Sequence, residues 1–139
     1  MIALLFLLRA ILLAGQEKVS LSVGITGATP DQGHIVLSLF NSEESYMKTP
    51  FLSDKIVVNA NGEAHFDFAE LNPGKYAVSV YYDADSDGKL KTGFMGIPKE
   101  KVGFSNNAKG TFGPPSFKKA AFDLQMSQSI QIHLGSAKD

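Results

Sequence analysis

The sequence predicts an all-β fold, a sandwich of two antiparallel sheets with one long irregular loop. Three observations carry the prediction. About seven short segments alternate apolar and polar residues with period two, or run apolar for a strand's length. Turn-forming clusters, such as Asn59–Gly62 and Leu71–Gly74, separate them. Beyond the apolar stretch Met1–Gly15, no segment sustains the 3.6-residue period of a long helix. Short strands, frequent turns and no long helix together define a sandwich. No repeat at roughly 20–50 residues points instead to a solenoid.

The strands follow in order. Val19–Thr26 alternates cleanly, with Val19, Leu21, Val23 and Ile25 on one face. Gly27–Gly33 is dense in turn formers. His34–Phe40 is more apolar and reads as a central strand. Asn41–Lys48 has a capping residue and acids in its first turn, so it predicts a short helix ended by Pro50. Asp54–Val58 and Glu63–Phe68 flank the Asn61-Gly62 hairpin signal. Lys75–Tyr82 aligns Tyr76, Val78, Val80 and Tyr82. Asp83–Lys118 is irregular, and Ala121–Met126 and Ser129–Leu134 close the chain as two tightly joined strands.

Length and composition set bounds. The 139 residues have a one-domain length, and 44% apolar with 19% charged residues suits a packed core. A net charge of −1 leaves no basic excess for phosphate neutralisation, so no nucleic-acid partner is expected. Cysteine is absent, which removes thiol catalysis, zinc–thiolate sites and disulfides. Tryptophan is absent too, which weakens a sugar-stacking reading.

Met1–Gly15 reads as a cleaved signal peptide, with the domain occupying 16–139. The run falls short of the roughly 20 residues that span a bilayer. Arg9 sits inside it rather than before it, and Gln16 stands where a lipoprotein box needs cysteine. The alternative is an apolar first element of the domain. The signal reading places the protein outside the cytoplasm, periplasmic or extracellular, with no stable membrane insertion after cleavage.

Two segments are candidate sites. Asp83-Ala84-Asp85-Ser86-Asp87-Gly88-Lys89 places carboxylates at alternate positions before a glycine. A hard cation such as Ca²⁺ takes six to eight oxygens, and this spacing curls three acids and the Lys89 carbonyl toward one point. Phe94 stands where an EF-hand needs its closing Glu, so Glu100 is the candidate to complete the set. The competing reading is a solvated acidic turn, since Asp and Gly favour turns anyway.

The second segment is Gly93–Phe117. It combines Phe94, Phe104, Phe112 and Phe117 with Ser105, Asn106 and Asn107 and with Pro98, Pro114 and Pro115. Aromatic area, amide hydrogen bonding and a prolyl-stiffened backbone suit a recognition surface. An Ω-type loop packed by its own aromatics is the other reading.

Catalytic signals are weak. No nucleophile elbow, phosphate loop or zincin motif occurs. A Ser105 nucleophile with Lys101 or a histidine as base has no spacing to support it. His34, His65 and His133 fall on three different strands, and the methionines show no copper spacing.

These segments carry a resemblance. Pro73–Val78, Asp83–Leu90, Gly96-Ile97-Pro98, Glu100, Gly103–Asn107 and Phe112–Phe117 are similar to the pattern of the DUF2141 family, over roughly Val19–Leu134. The resemblance implies an exported bacterial protein with a prealbumin-like or immunoglobulin-like sandwich and no assigned activity. It supplies no catalytic residues. Lys91 departs from the Asn or Asp common after Leu90, which counts against a later metal ligand there.

The sequence therefore reads as an exported, non-enzymatic binding or structural module whose partner is a protein or cell-envelope component. Two alternatives stand beside it. One is a carrier of a small apolar ligand between the sheets, lined by residues such as Phe40, Phe66 and Tyr76. The other is an unrecognised hydrolase.

Overall fold

The computed structural model describes residues 17–86 and 100–136. Eight strands are present among them: β1 (Val19–Thr26), β2 (His34–Phe40), β3 (Leu52–Val57), β4 (Ala64–Leu71), β5 (Gly74–Asp83), β6 (Val102–Phe104), β7 (Phe122–Leu124) and β8 (Gln128–His133). A 3-10 turn, Ser105–Asn107, follows β6, and a single helical turn, α1 (Phe117–Ala120), precedes β7. Among the described residues no helix is long and apolar enough to cross a membrane.

The strands form two sheets, in the orders β4-β1-β8 and β3-β2-β5-β6. The short β7 also pairs with β5, through Gly74–Tyr76, while β6 pairs further along at Ser79–Tyr81. All pairs are antiparallel except β1 with β8, which run parallel from Leu21↔Gln128 to Thr26↔His133.

The period-two pattern decides what lies between the sheets. Leu21, Val23 and Ile25 from β1 meet Ile35, Leu37 and Leu39 from β2, Phe66 from β4, and Val78 and Val80 from β5. Each is 1% exposed or less. A one-residue slip in any of these strands would turn its apolar set outward, so burial of one face fixes register. Phe66 and Tyr76 are themselves parts of this packed core.

Local order differs from expectation at four places. Asn41–Lys48 forms turns rather than a helix. Asn59–Gly62 does reverse the chain, with Gly62 N–H donating to the Asn59 carbonyl at 3.1 Å. It joins strands of different sheets, however, and so forms a corner of the sandwich rather than a hairpin. Gly62 has φ +74°, and a Cβ there would lie 2.2 Å from the Ala28 carbonyl oxygen, so only glycine fits. β7 and β8 likewise part company, one joining each sheet. Last, the irregular stretch contains β6 and α1.

Candidate functional site

The Gly103–Asn107 run holds the segment after β6 in place. Along one edge of β5, pairing with β7 ends at Tyr76 and pairing with β6 begins at Ser79. Val78 falls in the gap. Its N–H donates instead to Ser105 Oγ at 2.9 Å, and that hydroxyl donates onward to the Ala120 carbonyl. Ser105 is fully buried. One hydroxyl thus continues a sheet ladder that no strand reaches, and satisfies backbone groups that burial would otherwise leave unpaired.

The neighbouring amides extend the clamp. Asn106 and Asn107 have φ of +61° and +48°, a left-handed conformation that asparagine tolerates better than most residues. Asn106 Nδ2 donates to the carbonyls of Lys119 and Ala121, at 3.0 and 2.9 Å. Asn107 Oδ1 accepts from His133 N–H at 3.0 Å. Three consecutive side chains therefore bind β5, the ends of α1 and β8 together.

The Phe112–Phe117 run is the other half of the assembly. Ser116 caps α1, its Oγ accepting from Lys119 N–H at 3.3 Å. The Tyr46 hydroxyl donates to the Pro115 carbonyl at 2.8 Å. The Tyr46 ring makes edge contacts with Phe40 and Phe117, at centroid separations of 5.4 and 5.5 Å. Burial pushes its phenol up to about 12. Ala77, Phe104 and Ala120, with Val102, Ala108 and Phe117 against them, make a second small core on the outer face of the larger sheet.

Beside this second core lies a cleft of about 600 Å³, within the size range of small-ligand sites. Its floor is the outer face of β2, β5 and β6: Ser38, Phe40, Ser79, Tyr81, Val102 and Phe104. One wall is Met47, Lys48 and Pro50, and the other is Asn107–Gly110 with Gly113 and Pro114. The second wall turns tightly, since a Cβ on Gly110 would lie 2.2 Å from the Gly113 carbonyl oxygen. The hydroxyls of Ser38 and Ser79 have no hydrogen-bond partner among the described residues.

The candidate residues therefore separate. Phe104 and Ser105 are buried, and Phe117 is half-buried in the second core. Asn106 and Asn107 reach solvent but their amides hold backbone. Phe112 is 75% exposed at φ +58°, a displayed aromatic in a conformation that phenylalanine rarely adopts. Phe94 lies outside the described residues. The cleft itself was legible only indirectly: the outward positions along the middle of β2 and β5 carry Val36, Ser38, Ala77, Ser79 and Tyr81, with no charge, while His34, Lys75 and Asp83 stand at the strand ends.

At the acidic segment, Asp83 is buried and Asp85 exposed. Glu100 Oε2 accepts from Ala84 N–H at 3.1 Å, which returns that carboxylate to the start of the turn. Asp87 and Lys89 lie outside the described residues. The histidines have separate partners: Ser86 for His34, Asp67 for His65 and Thr26 for His133. Asp67 is held below its ordinary range, chiefly by the Ser22 hydroxyl and then by His65. Among the described residues no cluster of three metal-ligating side chains forms.

The arrangement defines a two-sheet β-sandwich with a cleft built on the outer face of its larger sheet by a clamped loop. A family model described as "uncharacterized protein conserved in bacteria (DUF2141)" matches residues 23–132, and the chain belongs to this family. No match was found among curated proteins or among solved structures.

Proposed function

We propose that this protein is an exported, non-catalytic binding module that holds a small, largely apolar ligand in the outer-face cleft. The observation that carries the reading is the cleft's construction. Its aromatic and aliphatic floor offers apolar area, while Ser38 and Ser79 offer hydroxyls unengaged among the described residues, the usual mix of a ligand site. The Ser105–Asn107 clamp supports the same reading, because a wall fixed before binding loses little entropy on binding. Export rests on the apolar run Met1–Gly15, which lies outside the described residues. Phe112 extends the reading, as a displayed contact for a protein or cell-envelope partner.

The test uses a neutral apolar fluorophore, N-phenyl-1-naphthylamine. The wild-type protein is expected to bind it saturably, with enhanced and blue-shifted emission. Ser79→Phe, which fills the floor on a strand that accepts aromatics, is expected to abolish the signal while the melting temperature holds. Absence of binding, or binding that Ser79→Phe leaves unchanged, refutes the proposal.

The acidic turn supports a second, separate reading as a calcium-stiffened brace. The return of Glu100 to Ala84 is the observation in its favour.

A further inference from the structure

The cleft has a charge pattern as well as an apolar floor. Among the described residues that line it, none is Asp or Glu. Lys48 stands on one wall and Lys109 on the other, and both are exposed. Neither has an ion-pair partner among the described residues. This local bias runs against the chain as a whole, whose net charge is −1. Two unpaired ammonium groups beside an apolar surface raise the local concentration of anions and favour a bound negative charge. The floor hydroxyls of Ser38 and Ser79 add donors to the same space.

Resting on the binding reading above, we infer that the occupant is an amphiphilic monoanion: an apolar body on the Phe40–Phe104 floor with one carboxylate toward Lys48 and Lys109. The complementarity has two parts, each with its own signature. The apolar part is not weakened by salt, while the anionic part is, as salt screens exposed charges. A cation of the same shape is disfavoured, since the described lining offers it two ammonium groups and no carboxylate.

The experiment compares three straight-chain probes of equal length, decanoate, decanol and decyltrimethylammonium, by calorimetry on the purified protein below their aggregation thresholds. Decanoate is expected to bind at least about tenfold more tightly than decanol at low salt, a margin within reach of two partly screened ion pairs. Decyltrimethylammonium is expected to bind most weakly. The double variant Lys48→Met, Lys109→Met is expected to bring decanoate down to decanol while leaving N-phenyl-1-naphthylamine binding intact. That retained binding also shows that the variant is folded. Equal binding of decanoate and decanol, or a decanoate affinity indifferent to the double substitution, overturns the inference and leaves the binding module standing. Failure of every apolar probe overturns the binding module itself. Binding to anionic phospholipid vesicles without binding of monomeric decanoate also overturns the inference, in favour of a membrane surface.

Discussion

Ser105→Ala tests the clamp with the smallest available change. It removes one oxygen from a fully buried site and creates no steric conflict. Two backbone groups lose their partner: Val78 N–H, which donates to Oγ, and the Ala120 carbonyl, which accepts from it. Neither is replaced by a strand, because along β5 the pairing with β7 stops at Tyr76 and the pairing with β6 starts at Ser79. Leaving a buried polar group unsatisfied costs about 1–3 kcal/mol. Two such groups at one site, with some relaxation, place the loss at about 2–4 kcal/mol. Urea unfolding followed by far-ultraviolet circular dichroism is the assay, with an unchanged slope marking a change in stability rather than in compactness. Ser105→Cys, with a weaker donor and acceptor in the same place, is expected to fall between wild type and alanine. A loss under about 0.5 kcal/mol for alanine would mean that water or a shifted strand reaches Val78, and the clamp account would fail.

Alkaline unfolding provides a second check. The Tyr46 phenol keeps its proton in the fold up to about pH 12, whereas an unfolded tyrosine loses it near pH 10. Between these values the unfolded chain holds fewer protons, so stability is complete below pH 10 and falls as pH rises through the window. Discounted for the partial exposure of the ring, the loss is about 1–2 kcal/mol. Tyr46→Phe is expected to flatten the decline in a pH series of melts, and Tyr76, also raised by burial, to account for part of what remains. At Phe112, glycine relieves a left-handed backbone worth about 1 kcal/mol and loses a similar amount in chain entropy. Phe112→Gly should therefore leave stability within about 0.5 kcal/mol of wild type, and a larger drop in the melt would mean that the ring packs. Calcium at a hundredfold excess over its dissociation constant should raise stability by about 2.7 kcal/mol if the acidic turn binds it in the folded state alone. No rise in melting temperature, or one that Asp85→Ala preserves, returns the segment to an ordinary turn.

The four long strands β1, β2, β4 and β5 were legible because each alternates over at least one buried face, a property written into residue order. Their partners were less legible. Asn59–Gly62 and Leu71–Gly74 both announce a reversal, and a reversal alone is silent on which sheet receives the next strand. Val102–Phe104 is too short to show a period, and its identity as a strand comes from the β5 edge it reaches. The same applies to Ser105, Asn106 and Asn107. As residue types they advertise hydrogen bonding, and as neighbours in sequence they suggest one shared surface. Their bonds instead run to Val78, Ala120, Lys119 and His133, contacts that residue order does not reveal. The cleft is assembled from five separate segments, so only its uncharged floor left a trace in the sequence.

The parallel pairing of β1 with β8 has a consequence for how the chain comes into being. Leu21 and Gln128 are partners, so the central strand of the smaller sheet waits for β8, which lies far along the chain, to be synthesised. Until then β1 has an open edge, and its apolar face lacks Ile132. Closing so distant a contact is intrinsically slow, because loop entropy must be overcome before the pairing contributes. A chain shortened before Gln128 would keep a bare, apolar edge of the kind that recruits other strands. Only a chain made at least as far as β8 can therefore seal this edge of β1.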